Sequence, residues 1–286
     1  MTPPATLTSD RVIARARTLG ASLAGIARAD ALLRSPLYSS LVDPLAAEGS
    51  AEGGGGDAAE PIAGLGSAPS VLVLALAHDP REPELDFWGV PAGTRGNQLL
   101  VDINRRLSAW LERDLAVHSF DLAYYVEKGG LYLKDAAVLA GLGSIGKNNL
   151  LVTANHGPRV RLRALAIDAV LDPTGPVALD PCDGCDAPCR RACPQGAFSR
   201  TVYATGEFGR LTLPGRDGTF SRDTCNAQMI EDQHRAGRGD TLPEADADPE
   251  ADVPVPDGAE RGETAPDGAG DLVAYCRRCE LACVCP

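Results

Sequence analysis

Apolar residues follow helical spacing in two stretches and run almost unbroken in a third. After Thr8 and Ser9, either able to cap a helix, Val12, Ile13 and Ala16 share one face and predict a helix over about 10–19. Leu99, Leu100, Ile103, Leu107 and Leu111 predict a longer amphipathic helix over 97–117. Between them GASLAGIARA (20–29) reads as a short strand and SVLVLALAH (70–78) as a fully buried one. SFDLAYYVE (119–127) suggests another strand and LKDAAVLAG (133–141) a short helix, while RVRLRALAIDAVL (159–171) alternates like a half-exposed strand entering a core. Strands mixed with helices predict an α/β or α+β body over residues 1–175, followed over 176–286 by a loop-rich module containing all nine cysteines.

Composition adds a limit and a location. With 286 residues, 44% of them apolar, the chain can bury a sizeable core. Its longest apolar run, VLVLALA, is far short of the ~20 residues that span a bilayer. MTPPATLTSDRVIARA has neither the basic start nor the apolar stretch of a secretory signal. The expectation is a cytoplasmic protein away from membranes, where clustered cysteines bind metal or do redox chemistry. The net charge of −12 is local: eleven acidic residues and one Arg lie between Asp240 and Asp271. That stretch has no aromatic residue and no apolar periodicity, so it predicts a solvated, disordered acidic insertion at about 236–271. AAEGSAEGGGGDAAEP (46–61) reads as a flexible surface loop. Arg outnumbers Lys 24 to three, and Lys128, Lys134 and Lys147 lie within twenty residues of one another, as though a compact ammonium were needed there.

The cysteines carry the chemistry. CDGCDAPCRRACP supplies Cys182, Cys185, Cys189 and Cys193; CRRCELACVCP supplies Cys276, Cys279, Cys283 and Cys285; Cys225 stands between the runs. A structural zinc site takes four ligands, usually as two CxxC pairs. Here single turn-rich runs offer three or four thiolates each, and Pro follows Cys193 as in ferredoxin runs whose fourth Cys ligates the other cluster. Eight ligands then make two [4Fe–4S] clusters and leave one cysteine spare. Cys283 keeps the CxxCxxxC spacing, whereas Cys285 is the one followed by Pro, so either completes the set.

GLGSIG (141–146) satisfies GxGxxG, but a helix precedes it and a strand-like NLLVT follows, the reverse of a dinucleotide site. Asp232, His234 and Gly237 fit a DxHxxG cobalamin-ligand pattern in a polar neighbourhood, where chance explains the match better. His78, at the end of the buried strand, reads as a structural histidine more readily than as part of a cofactor cleft, and Tyr124, Tyr125 and Tyr132 as ordinary packing.

KDAAVLAGLGSIGKNNLL, a CxxC…CP run, a lone Cys with Ile-Glu five residues on, and a terminal CxxCxxxC together resemble epoxyqueuosine reductases and their relatives, the reductive dehalogenases. The resemblance runs from about residue 20 to the end. It implies a nitroreductase-like cobalamin-binding body followed by a ferredoxin-like module with two [4Fe–4S] clusters. One cluster would sit on Cys182, Cys185, Cys189 and Cys283, the other on Cys193, Cys225, Cys276 and Cys279. Gly141, Gly143, Ser144, Ile145, Gly146, Lys147 and Asn148 would line the corrinoid, and Glu127, or else Asp135, would supply a proton. The first run has one extra residue between its second and third cysteines, and the tRNA-acting enzymes continue past the second cluster. With no basic run, the charge pattern argues against tRNA and for a small molecule or modified base.

The function expected is therefore an oxidoreductase fed by an external donor of ferredoxin or flavodoxin type. The alternatives are a ferredoxin-like electron carrier without a substrate of its own and a zinc-stabilised binding module.

Overall fold

A computed structural model describes residues 6–34, 65, 68–89, 93–124, 130–202, 214–237 and 273–285. Helix α1 (Ser9–Thr18) begins where the pattern places it, with Thr8 accepting a hydrogen bond from the Arg11 amide at its N-cap. It leads into β1 (Leu23–Arg28) and the short α2 (Ala29–Leu33). Strand β2 (Ser70–Ala77) is buried almost throughout. After a 3-10 turn at Pro83–Asp86 come the two-residue strands β3 (Trp88–Gly89) and β4 (Gly93–Thr94). The long α3 (Arg95–Leu115) is capped by Thr94, whose hydroxyl accepts from the Asn97 amide at 3.1 Å. Then follow β5 (Ser119–Asp121), α4 (Leu133–Leu139), β6 (Ser144–Ile145), β7 (Leu151–Val152) and β8 (Val160–Ile167).

The main sheet has the order β1-β2-β8-β5, and every pairing in it is antiparallel. The body is therefore α+β, not α/β: no strand pair needs the crossover helix of a parallel sheet. Alternation on β2 divides the core. Leu72, Leu74 and Leu76 face α1 and α3 together with Ile26, Leu165 and Ile167, against Leu100, Ile103, Leu107 and Leu111. Val71, Val73 and Ala75 face the other way, towards Ala136, Ala137, Val138, Leu142, Ile145 and Leu151. This second layer carries the glycine segment.

Two expectations change at this level. Of the strand expected over 119–127, Ser119–Asp121 form β5 and residues 122–124 lie outside the sheet. RDTCNAQMIEDQHR forms a 14-residue helix, α6 (Arg222–Arg235), which its polar sequence did not announce. Preceding it are a four-residue helix, α5 (Pro188–Arg191), and a 3-10 turn at Pro214–Arg216; following it is α7 (Arg278–Leu281). The loop at 46–61, Tyr125, Glu127, Lys128 and the acidic stretch from 238 onward lie outside the described residues. Among the described residues no helix is long and apolar enough to cross a membrane.

Candidate metal centre

Past residue 176 the buried apolar residues, among those described, are Cys182, Cys189, Ala197 and Val273. So small a set is no core, and what gathers these loops is their thiols and their polar contacts with the body. The thiols fall into two neighbouring groups. Burial first, and then Cys283, Cys182 and Cys185, push the Cys189 thiol up to about 11. Cys285 belongs to the same group: burial, a hydrogen bond with Cys283, and nearby Cys182 and Cys185 push it up to about 12. In the other group, burial followed by Cys225, Cys276 and Cys193 pushes Cys279 up to about 12. Cys225 is raised by burial and by Cys193 and Cys276, with Lys134 acting in the opposite sense.

Thiols this closely packed resist losing several protons unless a positive centre arrives to hold the thiolates, which is what metal binding supplies. Among the described residues no three His, Cys, Asp or Glu side chains converge on the geometry of a single ion. A cubane takes one thiolate per iron and spreads its ligands accordingly, and the donor chemistry of both groups fits it. Two amides already point at sulfur: Lys147 N–H to Cys182 Sγ at 3.4 Å, and Ala197 N–H to Cys193 Sγ at 3.3 Å. Hydrogen bonds of this kind tune cluster potentials.

The glycine segment positions these groups. The Lys147 ammonium donates to the Cys185 carbonyl, and the Lys147 carbonyl accepts from Arg190 Nε at 2.9 Å. Asn148 Nδ2 donates to the Cys279 carbonyl at 3.5 Å, and the Asn149 side-chain oxygen accepts from the Gly215 amide at 3.2 Å. Lys134 reaches up from α4 to the Asn149 carbonyl at 2.8 Å. Burial pulls its ammonium down to about 8 against the opposing charge of Asp135. The two lysines therefore sit where a slim ammonium donates to a carbonyl, in keeping with their scarcity elsewhere.

The glycines expected to line the corrinoid pack tightly against the rest of the body. A Cβ on Gly143 would lie 2.3 Å from the Val152 carbonyl oxygen, on Gly141 2.6 Å from the Thr174 carbonyl oxygen, and on Gly146 2.5 Å from Val152 Cγ2. The space on the Cβ side of these positions is filled by the protein itself. Ser144, Ile145 and Asn148 are likewise buried. The cavity beside Gly141, lined also by Arg17, Leu23 and Thr174, is about 200 Å³, below the ~300–1,000 Å³ typical of a ligand pocket. Residues 141–148 pack the body and seat both cysteine runs. Asp135 is 1% exposed in the first turn of α4.

A second anchor escaped sequence reasoning. Arg277, between Cys276 and Cys279, reaches Asp86 at 2.6 Å, and the same carboxylate meets Arg161 at 2.6 Å and His78 Nδ1 at 2.7 Å. Burial alone would raise the Asp86 pKa, but the His78 hydrogen bond and the charges of Arg161, His78 and Arg277 outweigh it and hold it below the ordinary carboxylate value. His78 is thus a structural partner in this network. Nearby, Trp88 and Val273 exchange backbone hydrogen bonds at 2.9 and 2.8 Å. Asp232, dismissed with its DxHxxG match, is buried and accepts from the Cys276 amide at 2.7 Å. Near the first run, Arg216 pairs with Asp180, which accepts from the Cys182 amide at 3.2 Å.

No family model matches the chain, and a search of curated proteins finds no relative. Solved structures do match. An epoxyqueuosine reductase bound to an epoxyqueuosine-modified tRNA-Tyr stem loop is 21% identical with a TM-score of 0.55, covering 81% of this chain and 60% of that one. A selenomethionine-labelled epoxyqueuosine reductase is 20% identical with a TM-score of 0.54, covering 82% of this chain and 61% of that one. A reductive dehalogenase in complex with 3-bromo-4-hydroxybenzoic acid is more distant, 15% identical with a TM-score of 0.47 over 76% of this chain and 28% of that one. The chain spans about three fifths of the two reductases, and over that span it shares the fold of epoxyqueuosine reductases.

Proposed function

We propose that the protein is an iron–sulfur oxidoreductase of the epoxyqueuosine reductase kind, with a body over 1–175 and a ferredoxin-like module over 176–286. Cys182, Cys185, Cys189 and Cys283 would hold one [4Fe–4S] cluster, and Cys193, Cys225, Cys276 and Cys279 the other. The observation that carries this reading is the gathering of thiols from two distant runs into two adjacent groups, seated on one loop of the body. When bound, the clusters supply one-electron transfer from an external donor of ferredoxin or flavodoxin type. The chain's part is to hold them: Lys147 and Asn148 grip the two runs, the amides of Lys147 and Ala197 donate to sulfur, and the Asp86–Arg277 pair fixes the second run to the body. Glu127 and Asp135 are the candidate proton donors, separable by Glu127→Gln and Asp135→Asn.

The substrate proposed is a small molecule or a modified nucleoside. The fold similarity to a reductase bound to a tRNA stem loop restores tRNA as a candidate, against the expectation from charge. Reduced thiols of this kind persist in the cytoplasm, which is the location proposed. The resemblance also implies cobalamin, for which Gly141, Gly143, Ser144, Ile145, Gly146, Lys147 and Asn148 are the proposed lining; no step is assigned to it. A ferredoxin-like carrier without a substrate is the competing reading.

The deciding experiment is anaerobic purification with iron, sulfide, zinc and cobalt measured per chain, with and without added hydroxocobalamin. About eight irons with matching sulfide support two cubanes. Zinc without sulfide overturns the reading. Stoichiometric cobalt supports the corrinoid, and clusters without cobalt or turnover of an epoxyqueuosine-modified stem loop favour the carrier.

A further inference from the structure

The first thiol group contains one donor too many. Cys182, Cys185, Cys189, Cys283 and Cys285 stand together, while a cubane has four corners. We propose that Cys283 and Cys285 are alternative ligands to the same iron, Cys285 being a replacement donor built into the site. The proposal rests on the iron–sulfur reading above.

The geometry of residues 283–285 carries it. They follow α7 without helical structure, and Val284 between them is 74% exposed whereas both cysteines are partly buried. With the middle residue turned out, its neighbours turn in on the same side, as alternate positions of a non-helical chain do. The Cys285 thiol lies against the first run, with Cys283, Cys182 and Cys185 as its neighbours. Both are independently held. The Cys283 amide donates to the Glu280 carbonyl at 3.1 Å, and Glu280 is paired with Arg277. The Cys285 carbonyl accepts from the Arg159 guanidinium at 3.4 and 3.5 Å, and its thiol donates to the carbonyl of Pro181, immediately before Cys182, at 3.6 Å. Cys285 is thus docked against the first run by its backbone and by its sulfur, as a protonated thiol next to the corner that Cys283 serves. Exchange needs no oxidant: Cys285 forms its S–Fe bond and releases its proton, the Cys283 S–Fe bond breaks, and that thiolate takes up a proton. No electron changes hands.

The test uses the full chain, purified anaerobically as wild type, Cys283→Ala, Cys285→Ala and the double variant, with iron and sulfide counted per chain and the reduced protein read by electron paramagnetic resonance. Cys285→Ala is expected to keep about eight irons and the wild-type spectrum. Cys283→Ala is expected to keep the same iron with a shifted spectrum, because a different thiolate now binds. The double variant is expected to lose from about one to four irons while the signal of the other cluster persists. If Cys283→Ala alone loses as much iron as the double variant, or keeps an unchanged spectrum, the proposal is wrong. Loss of iron from Cys285→Ala alone also overturns it. A wild type without the two clusters instead removes the iron–sulfur reading itself, which the variants do not touch.

Discussion

The Asp86 side chain is 0% exposed and carries three cationic or titratable neighbours, from β8, the end of β2 and the second cysteine run. Replacing it by Asn takes the buried anion from Arg161 and leaves Arg277 with Glu280 alone, a change that costs about 3–5 kcal/mol in comparable sites. Asp86→Asn is expected to lower the urea midpoint accordingly. The pH dependence has a definite sign. Because the folded pKa lies below the unfolded one, the pair's contribution is complete above the ordinary carboxylate value of about 3.9 and is lost as pH falls through the folded value. Acid titration of stability should therefore be flatter in Asp86→Asn than in wild type below about pH 4. Gly143 gives a second residue-scale test. A methyl group there meets the Val152 carbonyl at 2.3 Å, so Gly143→Ala should destabilise the protein by at least about 1–3 kcal/mol in cofactor-free denaturation. An undiminished midpoint would mean that the space is open.

Among the elements, those that bury an apolar face could be read from the chain and those held by polar contacts could not. β2 announces itself as an eight-residue run, and α3 as a stripe from Leu100 to Leu111. α6 has no stripe. It is held by the Ser221 cap, by buried Asp232 and by Gln233, whose amide donates to the Tyr275 hydroxyl at 2.6 Å, partners that are distant in sequence. The helix-before, strand-after order of GLGSIG correctly excluded a dinucleotide fold, yet the loop's task was hidden because Lys147 and Asn148 meet the cysteines only in space. The clustering of scarce lysines was the one local sign of it. Strand order and antiparallel register also depend on distant partners: β2 and β8 pair across residues 70–77 and 160–167. The caps, in contrast, are local, and their worth is measurable. Thr94→Ala removes the acceptor for the Asn97 amide at a buried helix start and should cost about 0.5–2 kcal/mol. For a protein of this size that lowers the thermal midpoint by roughly 2–4 °C per kcal/mol.

Across the whole molecule, stability is unevenly distributed. The body has a core on both faces of its sheet, while the module past residue 176 has four buried apolar side chains among those described and four-residue helices at both cysteine runs. Loops so poor in core depend on a bound centre for their shape. Stripping iron with a chelator should therefore leave the sheet signal in circular dichroism and the burial of Trp110 intact, while new protease cuts appear within 176–202 and 273–285. Simultaneous loss of the sheet signal would show that the two parts fold as one.

The sharing of thiols between the runs also imposes an order in time. Cys193 and Cys276 stand in the same group but emerge from a ribosome more than eighty residues apart, on the order of 4–17 s of synthesis. Throughout that interval the first run is made and its seat at Lys147 and Asn148 is folded, yet neither group can be closed. Newborn chains thus pass through a stage in which the first run's thiols still lack their partners from the second, and a pulse of thiol-reactive reagent on stalled chains would catch it.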